Sequence, residues 1–149
     1  MILYHIDKHK YRNVWPPEGT LYADGRWNKP RQWIIYTSSV ISLAKLEILA
    51  NDNNLPINRV CMKINIADNV DVFEVNQNHL PDNWMIKPYP PELVKFTTQF
   101  LDSGCLLMKV PSAQSYSEYN YLISVRHPDF HNKVTLEEVA NEPFDNRLK

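Results

Sequence analysis

The length and charge of the chain limit the kinds of protein it can be. With 149 residues, 44% of them hydrophobic, it is long enough for one domain with an apolar core and short for two. Its 16 basic and 17 acidic residues give a net charge of -1, which argues against direct binding to nucleic acid or to an anionic membrane. Because there is no run of about 18 apolar residues and no leader-like amino terminus, we expect a cytoplasmic protein with a single domain over residues 1–149.

The hydrophobic pattern predicts several strands and two clear helices. Strands are expected at residues 2–6, 33–37, 59–67, 70–75, 105–110 and 119–125, whereas 133–139 has no clear pattern. Helices are expected at 40–51, capped by Ser38 or Ser39, and at 92–101, ended by Gly104. Since strands and helices do not alternate regularly, the order favours an α+β fold with a mixed or sandwich-like sheet over a doubly wound one.

Neither the glycines nor the cysteines form a recognisable ligand-binding motif. The three glycines, at 19, 25 and 104, cannot form the glycine-rich loops that hold phosphates in many nucleotide-binding proteins. Cys61 and Cys105 lie in separate apolar runs, without CxxC spacing or clustered histidines. We therefore expect two buried free thiols and no metal site.

Glu47 has an unusual position in the first predicted helix. At about 100° per residue, it falls in the middle of an arc of apolar side chains. The arc consists of Val40, Leu43, Ala44, Ile48 and Ala50. A carboxylate placed there must have a partner, be protonated or line a pocket, because isolated burial of its charge is costly. Both an active-site carboxylate and a structural ion pair with a buried arginine fit this position.

Arg26, Tyr36 and Ser112 each stand where a side chain can reach a cleft, although each has a structural alternative. Arg26 lies in a glycine-containing loop, and its planar guanidinium suits a phosphate, a ribose or the Glu47 carboxylate. Tyr36 ends a predicted strand just before the Glu47 helix, where a tyrosine also serves as a core residue. Ser112 follows a predicted strand and a proline, a common place for a turn serine.

A hydrolase with a Ser-His-Asp triad is an alternative that the residue types allow and the local sequence disfavours. Ser112, His127 and Asp129 would supply the three groups. However, no GxSxG turn surrounds the serine, and the other two residues flank a proline in a turn-like segment. We therefore do not expect catalysis by a serine nucleophile.

Short segments spread in order along nearly the whole chain resemble the RES domain family, which is named for an Arg, a Glu and a Ser. The segments are Gly25-Arg26-Trp27-Asn28, Ile35-Tyr36-Thr37-Ser38, Leu43-Ala44-Lys45-Leu46-Glu47, Val110-Pro111-Ser112-Ala113, Glu118 to Ile123, His127-Pro128 and Phe144 to Leu148. Departures from the family pattern, such as Asp24 in place of a frequent glycine, affect loop geometry and not these residues.

The resemblance implies a core similar to ADP-ribosyltransferases and a toxin of a type II toxin-antitoxin system that cleaves the nicotinamide-ribose bond of NAD. NAD would be the substrate, and no cofactor is implied. The partner would be an Xre-type helix-turn-helix antitoxin, and the oligomeric state is left open, with a homodimer as one option. By resemblance, the catalytic residues would be Glu47, Arg26, Tyr36 and Ser112, and the residues that contact NAD would be Arg26, Tyr36, Ser112, Trp27 and Asn120.

The transition state of such a cleavage suggests a role for each residue type. Positive charge develops on the ribose as the neutral nicotinamide leaves, and Glu47 would stabilise that charge. Tyr36 would stack on the nicotinamide, Arg26 would bind the diphosphate or a ribose, and Ser112 would hold the carboxamide or Glu47 itself. Three functions stay open: an NAD glycohydrolase or phosphorylase, an ADP-ribosyltransferase that modifies a protein, and a non-catalytic interaction module with the same fold.

Overall fold

The computed structural model describes all 149 residues and contains one mixed sheet of seven strands. In chain order the strands are β1 (Ile2–Lys8), β2 (Ile34–Ser38), β3 (Arg59–Ile66), β4 (Val72–Glu74), β5 (Leu107–Pro111), β6 (Tyr119–Ser124) and β7 (Val134–Asn141). Their spatial order is β4-β5-β6-β2-β1-β3-β7, and all neighbours are antiparallel except β4 and β5. Together with the flanking helices, this sheet confirms the predicted α+β class.

Four α-helices and three single turns of 3₁₀ helix complete the fold. The α-helices are α1 (Gly19–Tyr22), α2 (Ile41–Asn51), α3 (Glu92–Ser103) and α4 (Phe130–Lys133), and the 3₁₀ turns are His9–Tyr11, Gln77–His79 and Asn146–Leu148. Gly104 ends α3 with a φ of 81°, as its position predicts. The predicted serine cap of α2 is wrong, because Val40 precedes the helix and Ser38 remains in β2. None of the helices combines the length and the hydropathy required to cross a membrane.

Strand β7 occupies the segment whose sequence pattern is unclear, and a β-bulge explains why. Val134, Leu136 and Val139 all pack on the same apolar cluster, so their spacing changes from two residues to three. The pairing with β3 shifts between Lys63 and Ile64, which leaves Glu137 without an opposite residue. The extra residue reverses the side that later residues face and so interrupts the two-residue period expected of a strand.

The central strands β1 and β2 pair at only one position, Tyr4 with Ser38. On their other edges the same strands form long ladders, seven pairs between β1 and β3 and five between β2 and β6. His5 Nδ1 lies 2.7 Å from the carbonyl oxygen of Tyr36, so a side chain supplies a link that a main-chain N–H supplies elsewhere in the sheet. The two halves of the sheet therefore meet through a narrow contact and leave a gap beside it.

Three apolar clusters stabilise the sheet and leave this gap unfilled. The largest cluster joins every strand except β4 to α4. The second packs α3 against β2, β5 and β6, and it includes Trp27 and Trp84 from two loops. The third packs α2 against β1 and β3. Tyr36 contacts the second cluster and Tyr4 contacts the third, so the space between these two clusters adjoins both central strands.

Both cysteines are free thiols, as expected, but only one is buried. Burial of Cys61, together with the nearby Glu142 and Glu138 carboxylates, raises the pKa of its thiol to about 11. Cys105 is only partly buried because it lies in the turn after α3, and β5 begins two residues later, at Leu107. The predicted burial of Cys105 is therefore wrong.

Candidate active site

A cavity of about 630 Å³ lies at the gap between β1 and β2. Its walls are formed by β1, β2, helix α2, the loop that contains Gly25 and Arg26, the loop that contains Lys87 and Tyr89, and Asn120 of β6. Ligand pockets in proteins commonly have volumes of about 300–1,000 Å³. The space is therefore large enough for a small-molecule substrate, and it is lined by Arg26, Trp27, Tyr36, Glu47 and Asn120. Ser112, also predicted to contact the substrate, is buried and is not among the lining residues.

Glu47 lies on the cavity wall and is held by two hydrogen bonds to one of its oxygens. Ser112 Oγ donates to Glu47 Oε1 at 2.9 Å, and Asn120 Nδ2 donates to the same oxygen at 2.6 Å. The second oxygen, Oε2, accepts no hydrogen bond from the protein and is not enclosed. Two donors fix the orientation of the carboxylate while its other oxygen stays available to a ligand.

The alternative of a structural ion pair for Glu47 does not occur in this structure. No ion pair within 4 Å joins Glu47 to Arg26 or to any other cation. Within α2, Leu43 and Ala44 are buried against the sheet, and Glu47 follows them on the partly buried side. The predicted arc is only partly correct, because its ends, Val40 and Ala50, are exposed. Glu47 reaches the sheet beside the two buried residues, and there neutral hydrogen-bond donors replace a cationic partner.

The orientation of the Asn120 amide follows from its two neighbours. Ser38 Oγ donates to Asn120 Oδ1 at 2.6 Å, so the amide oxygen faces β2. The amide nitrogen then faces Glu47, and the opposite orientation would place two acceptor oxygens against each other. Ser38, predicted to cap the helix, instead positions the amide that holds Glu47.

Ser112 combines its bond to Glu47 with the role of a turn residue. Its Oγ accepts hydrogen bonds from the main-chain nitrogens of Gln114 at 3.0 Å and Ser115 at 3.3 Å. His127 lies elsewhere, with Nε2 at 2.8 Å from the carbonyl oxygen of Gly104 and Nδ1 accepting from Asp129 N. The three residues of the disfavoured triad therefore do not contact one another as a triad requires.

The loop before β2 is fixed to Tyr36 by close packing. Tyr36 Oη donates to Asn28 Oδ1 at 2.7 Å and accepts from the Trp27 main-chain nitrogen at 3.2 Å. A Cβ atom added at Gly25 would lie 2.8 Å from both Asn28 Oδ1 and Tyr36 Oη, so only glycine fits there. Glycine at position 25 therefore allows the main chain of this loop to approach Asn28 and Tyr36 closely.

Tyr36 is one of the residues that line the cavity, and its hydroxyl is a structural group that bonds to Asn28 and Trp27. Burial raises its pKa well above the ordinary value of 10, although the Trp27 hydrogen bond and the charge of Arg26 act in the opposite direction. The hydroxyl therefore stays protonated at neutral pH and keeps donating to Asn28. The Trp27 side chain is 3% exposed and packs against Trp84 and Phe96, so it supports the cavity wall from the core side.

Arg26 lines the cavity without forming any polar contact to the protein. Its guanidinium carbon lies 4.6 Å from the centre of the Tyr89 ring and 5.7 Å from that of Trp84. Arg26 Nε is buried and has no hydrogen-bond partner. Every other buried side-chain nitrogen or oxygen in the chain has one. A buried donor without an acceptor is costly, which indicates a position suited to a bound acceptor.

Several cavity residues were not singled out from the sequence. Tyr4 and His5 come from β1, and Lys87 and Tyr89 come from the loop before α3. No motif marks these positions, since they reach the cavity only because β1 and β2 separate and the long loop folds back over them. The proline-rich composition around Lys87 predicts an irregular segment and gives no sign of its neighbours.

The chain shares its fold with a protein of known structure. A crystal structure of the M. tuberculosis MbcT-MbcA toxin-antitoxin complex contains a chain with the same fold, at a TM-score of 0.73 over 95% of this chain and 83% of that chain. The sequence identity between the two is 13%. At that identity the comparison supports the architecture and does not by itself transfer an activity.

The family is given by sequence comparison. Residues 2–145 match the RES domain. "Toxin Res" of Yersinia enterocolitica is 31% identical over 100% of both chains, and "Toxin Res" of Photorhabdus laumondii is 26% identical over 99% of this chain and 97% of that protein. The "Prs ADP-ribosylating toxin" of a Sphingobium strain is 33% identical over 74% of this chain and 72% of that protein. The chain therefore belongs to the RES domain family, and with it to the class of RES toxins.

Proposed function

We propose that this RES toxin cleaves the nicotinamide-ribose bond of NAD, with Glu47 as the catalytic carboxylate, and thereby lowers cellular NAD. The observation that carries the proposal is the geometry of Glu47, whose Oε1 is held by Ser112 and Asn120 while Oε2 has no protein partner on the cavity wall. Family membership supports a substrate that contains ADP-ribose, because one relative is named as an ADP-ribosylating toxin.

Cleavage of the nicotinamide-ribose bond is promoted by a carboxylate that has no cationic partner. When the bond between C1′ of the ribose and the nicotinamide nitrogen breaks, the electron pair leaves with nicotinamide and positive charge develops on the ribose. A fixed carboxylate stabilises that charge more than it stabilises the ground state, which is how it accelerates the reaction. Water or phosphate then bonds to C1′, and the proton it loses is released to solvent. A permanent ion pair with Arg26 would weaken this effect.

The other cavity residues divide the remaining tasks. Arg26 has unused donors for a phosphate or ribose oxygen, and the Tyr36 ring offers a surface on which nicotinamide would stack. Ser112 and Asn120 position Glu47 and, at the cavity wall, Asn120 lies within reach of the substrate. Trp27 contributes mainly by supporting the Arg26 loop.

A comparison of Glu47→Gln with wild type tests this role. Purified wild-type protein is expected to release nicotinamide from NAD, and Glu47→Gln is expected to lose at least about 100-fold in kcat while keeping its melting temperature within a few degrees. Glu137→Gln, at an exposed position on β7 outside the cavity, is the matched control and should behave as wild type. Full turnover by folded Glu47→Gln would refute the catalytic role.

Transfer of ADP-ribose to a protein is the second candidate, favoured by the 33% identity to the Sphingobium ADP-ribosylating toxin. The first step would be the same, and a side chain of the target protein would replace water or phosphate as the acceptor. Incubation with labelled NAD and cell extract separates the two reactions. Label on a protein band indicates transfer, whereas label in free ADP-ribose or its phosphate indicates degradation.

We also propose that an antitoxin of the Xre type neutralises the protein. The neighbour with the same fold was crystallised as a toxin-antitoxin complex, which supports a partner of that kind for this chain. Co-expression of a helix-turn-helix protein encoded beside the gene should restore growth. That protein should also co-purify with the chain. Growth arrest that such a protein does not relieve would argue against it as the partner.

A further inference from the structure

The loop from Trp84 to Pro91 brings a second cation to the cavity. Trp84 is buried at 4% exposure and Pro90 is buried near the other end, so both ends of the loop are anchored in the core. Lys87, between them, is exposed and lines the cavity. Its position is therefore set by the anchored loop, although its side chain is reachable from solvent.

Lys87 and Arg26 pack against the same aromatic ring. Lys87 Nζ lies 5.5 Å from the centre of the Tyr89 ring, and the Arg26 guanidinium carbon lies 4.6 Å from it. An aromatic face attracts cations, so Tyr89 stabilises both groups beside the cavity that they line. Two cations therefore reach the cavity around one aromatic side chain.

This positive charge has no partner inside the protein. Neither Lys87 nor Arg26 forms an ion pair within 4 Å, although seven ion pairs occur elsewhere in the chain. Asp24 and Glu47 also line the cavity, but both stay beyond that distance from these cations. Together with the unpartnered Arg26 Nε, the missing counter-charge indicates a site for an anion with more than one negative charge.

We propose that Lys87, together with Arg26, forms an anion subsite that binds the diphosphate of a nucleoside diphosphate group. The guanidinium fork suits two oxygens of one phosphate, and the lysine ammonium supplies a point charge for the other. This inference deepens the proposed function and rests on it for the identity of the substrate. Lys87 then contributes to substrate affinity, while Glu47 acts on the bond that breaks.

ADP and adenosine are the probes that test the subsite without any requirement for catalysis. By calorimetry, wild type is expected to bind ADP more tightly than adenosine. Lys87→Gln should weaken ADP binding on the order of tenfold and leave adenosine binding unchanged. Lys95→Gln, an exposed lysine of α3 outside this cavity, is the matched control and should bind both as wild type does.

Several outcomes would overturn the subsite. They are absence of ADP binding by wild type, unchanged ADP affinity in Lys87→Gln, and equal loss of ADP and adenosine, which would indicate a disturbed loop. With NAD, Lys87→Gln should raise KM and keep kcat. If wild type binds ADP through Lys87 but does not cleave NAD, the subsite stands and the proposed function fails. If wild type cleaves NAD and Lys87→Gln changes neither KM nor ADP affinity, the subsite fails alone.

Discussion

Asn120 Nδ2 lies 2.6 Å from Glu47 Oε1 and joins strand β6 to helix α2 at the cavity wall. The contact is directional, because Ser38 Oγ donates to the other end of the same amide. The Glu47 carboxylate thus depends on a chain of side-chain hydrogen bonds that crosses two strands. Changes in this chain should affect catalysis more than stability.

Asn120→Asp replaces the donor by a second carboxylate with almost no change in shape. Two carboxylates at this distance repel, so Glu47 should leave its position, and kcat/KM for NAD should fall about 10- to 100-fold. Nicotinamide release measured at several NAD concentrations checks this. Asn141→Asp, at the exposed end of β7, makes the same chemical change outside the site and should have no effect. Equal activities in the two variants would contradict the role of Asn120.

Gly25→Ala tests the close approach between the Arg26 loop and Tyr36. The new Cβ would lie 2.8 Å from Asn28 Oδ1 and Tyr36 Oη, so the loop must move. We expect the free energy of unfolding to fall by about 1–3 kcal/mol and NAD turnover to fall with it, because Arg26 follows directly. Gly19→Ala is the control, since nothing lies within 4 Å of a Cβ there and alanine favours a helix. Urea denaturation of both variants should separate them clearly.

Ser112→Ala distinguishes a positioning serine from a nucleophile. The hydroxyl donates to Glu47 and accepts from Gln114 N and Ser115 N, so its loss should lower the free energy of unfolding by about 1–2 kcal/mol. Turnover should fall about tenfold, because Asn120 still holds Glu47. Ser42→Ala, exposed on α2, is the control. Complete loss of activity in a stable Ser112→Ala protein would instead indicate that the hydroxyl takes part in the chemistry.

Asp7→Asn should reduce stability at neutral pH and not in acid. Burial opposes ionisation of Asp7, but its interactions with His5, the hydrogen bond from Lys8 N and the charge of Arg59 together outweigh burial and lower the pKa below 3.8. A carboxyl whose folded pKa lies below its unfolded pKa stabilises the protein above the unfolded value, and this stability is lost as pH falls through the folded value. At pH 7 the free energy of unfolding of wild type should exceed that of Asp7→Asn by about 0.5–1 kcal/mol.

The difference between wild type and Asp7→Asn should shrink as the pH falls below about 4. Thermal unfolding at a series of pH values measures it. Asp102→Asn, exposed on α3, should show no such pH-dependent gap. If the stability difference between wild type and Asp7→Asn were the same at about pH 3 and about pH 7, the Asp7 charge would not be its cause.

The sequence predicted the bounds of helices α2 and α3 and of strands β1 and β2 closely, because these depend on local patterns. The apolar arc of the Glu47 helix was predicted less well, since only Leu43 and Ala44 are buried and both Val40 and Ala50 are exposed. The β-bulge opposite Lys63 and Ile64 shows the limit of this approach. Because the bulge is a property of a strand pair, a pattern read along β7 alone becomes ambiguous.

The parts of the site that escaped prediction depend on contacts distant in sequence. Serine is a common helix-capping residue, yet the Ser38 hydroxyl donates its hydrogen bond to Asn120, which is 82 residues away in the sequence. Lys87 and Tyr89 lie in a proline-rich segment without periodicity and meet Arg26 only in the folded chain. Asn120 was named through resemblance to the RES family, because an asparagine in a strand carries no functional signal by itself.

The single pairing between β1 and β2 has a consequence for how this active site can vary. The cavity lies where two strands separate, so its existence depends on the path of the main chain as well as on the side chains that line it. Residues such as Lys87 and Asn120 can then be exchanged one at a time while the chamber persists. If the proposed cleavage of NAD takes place here, the choice among water, phosphate and a protein side chain as acceptor would depend on a few replaceable side chains.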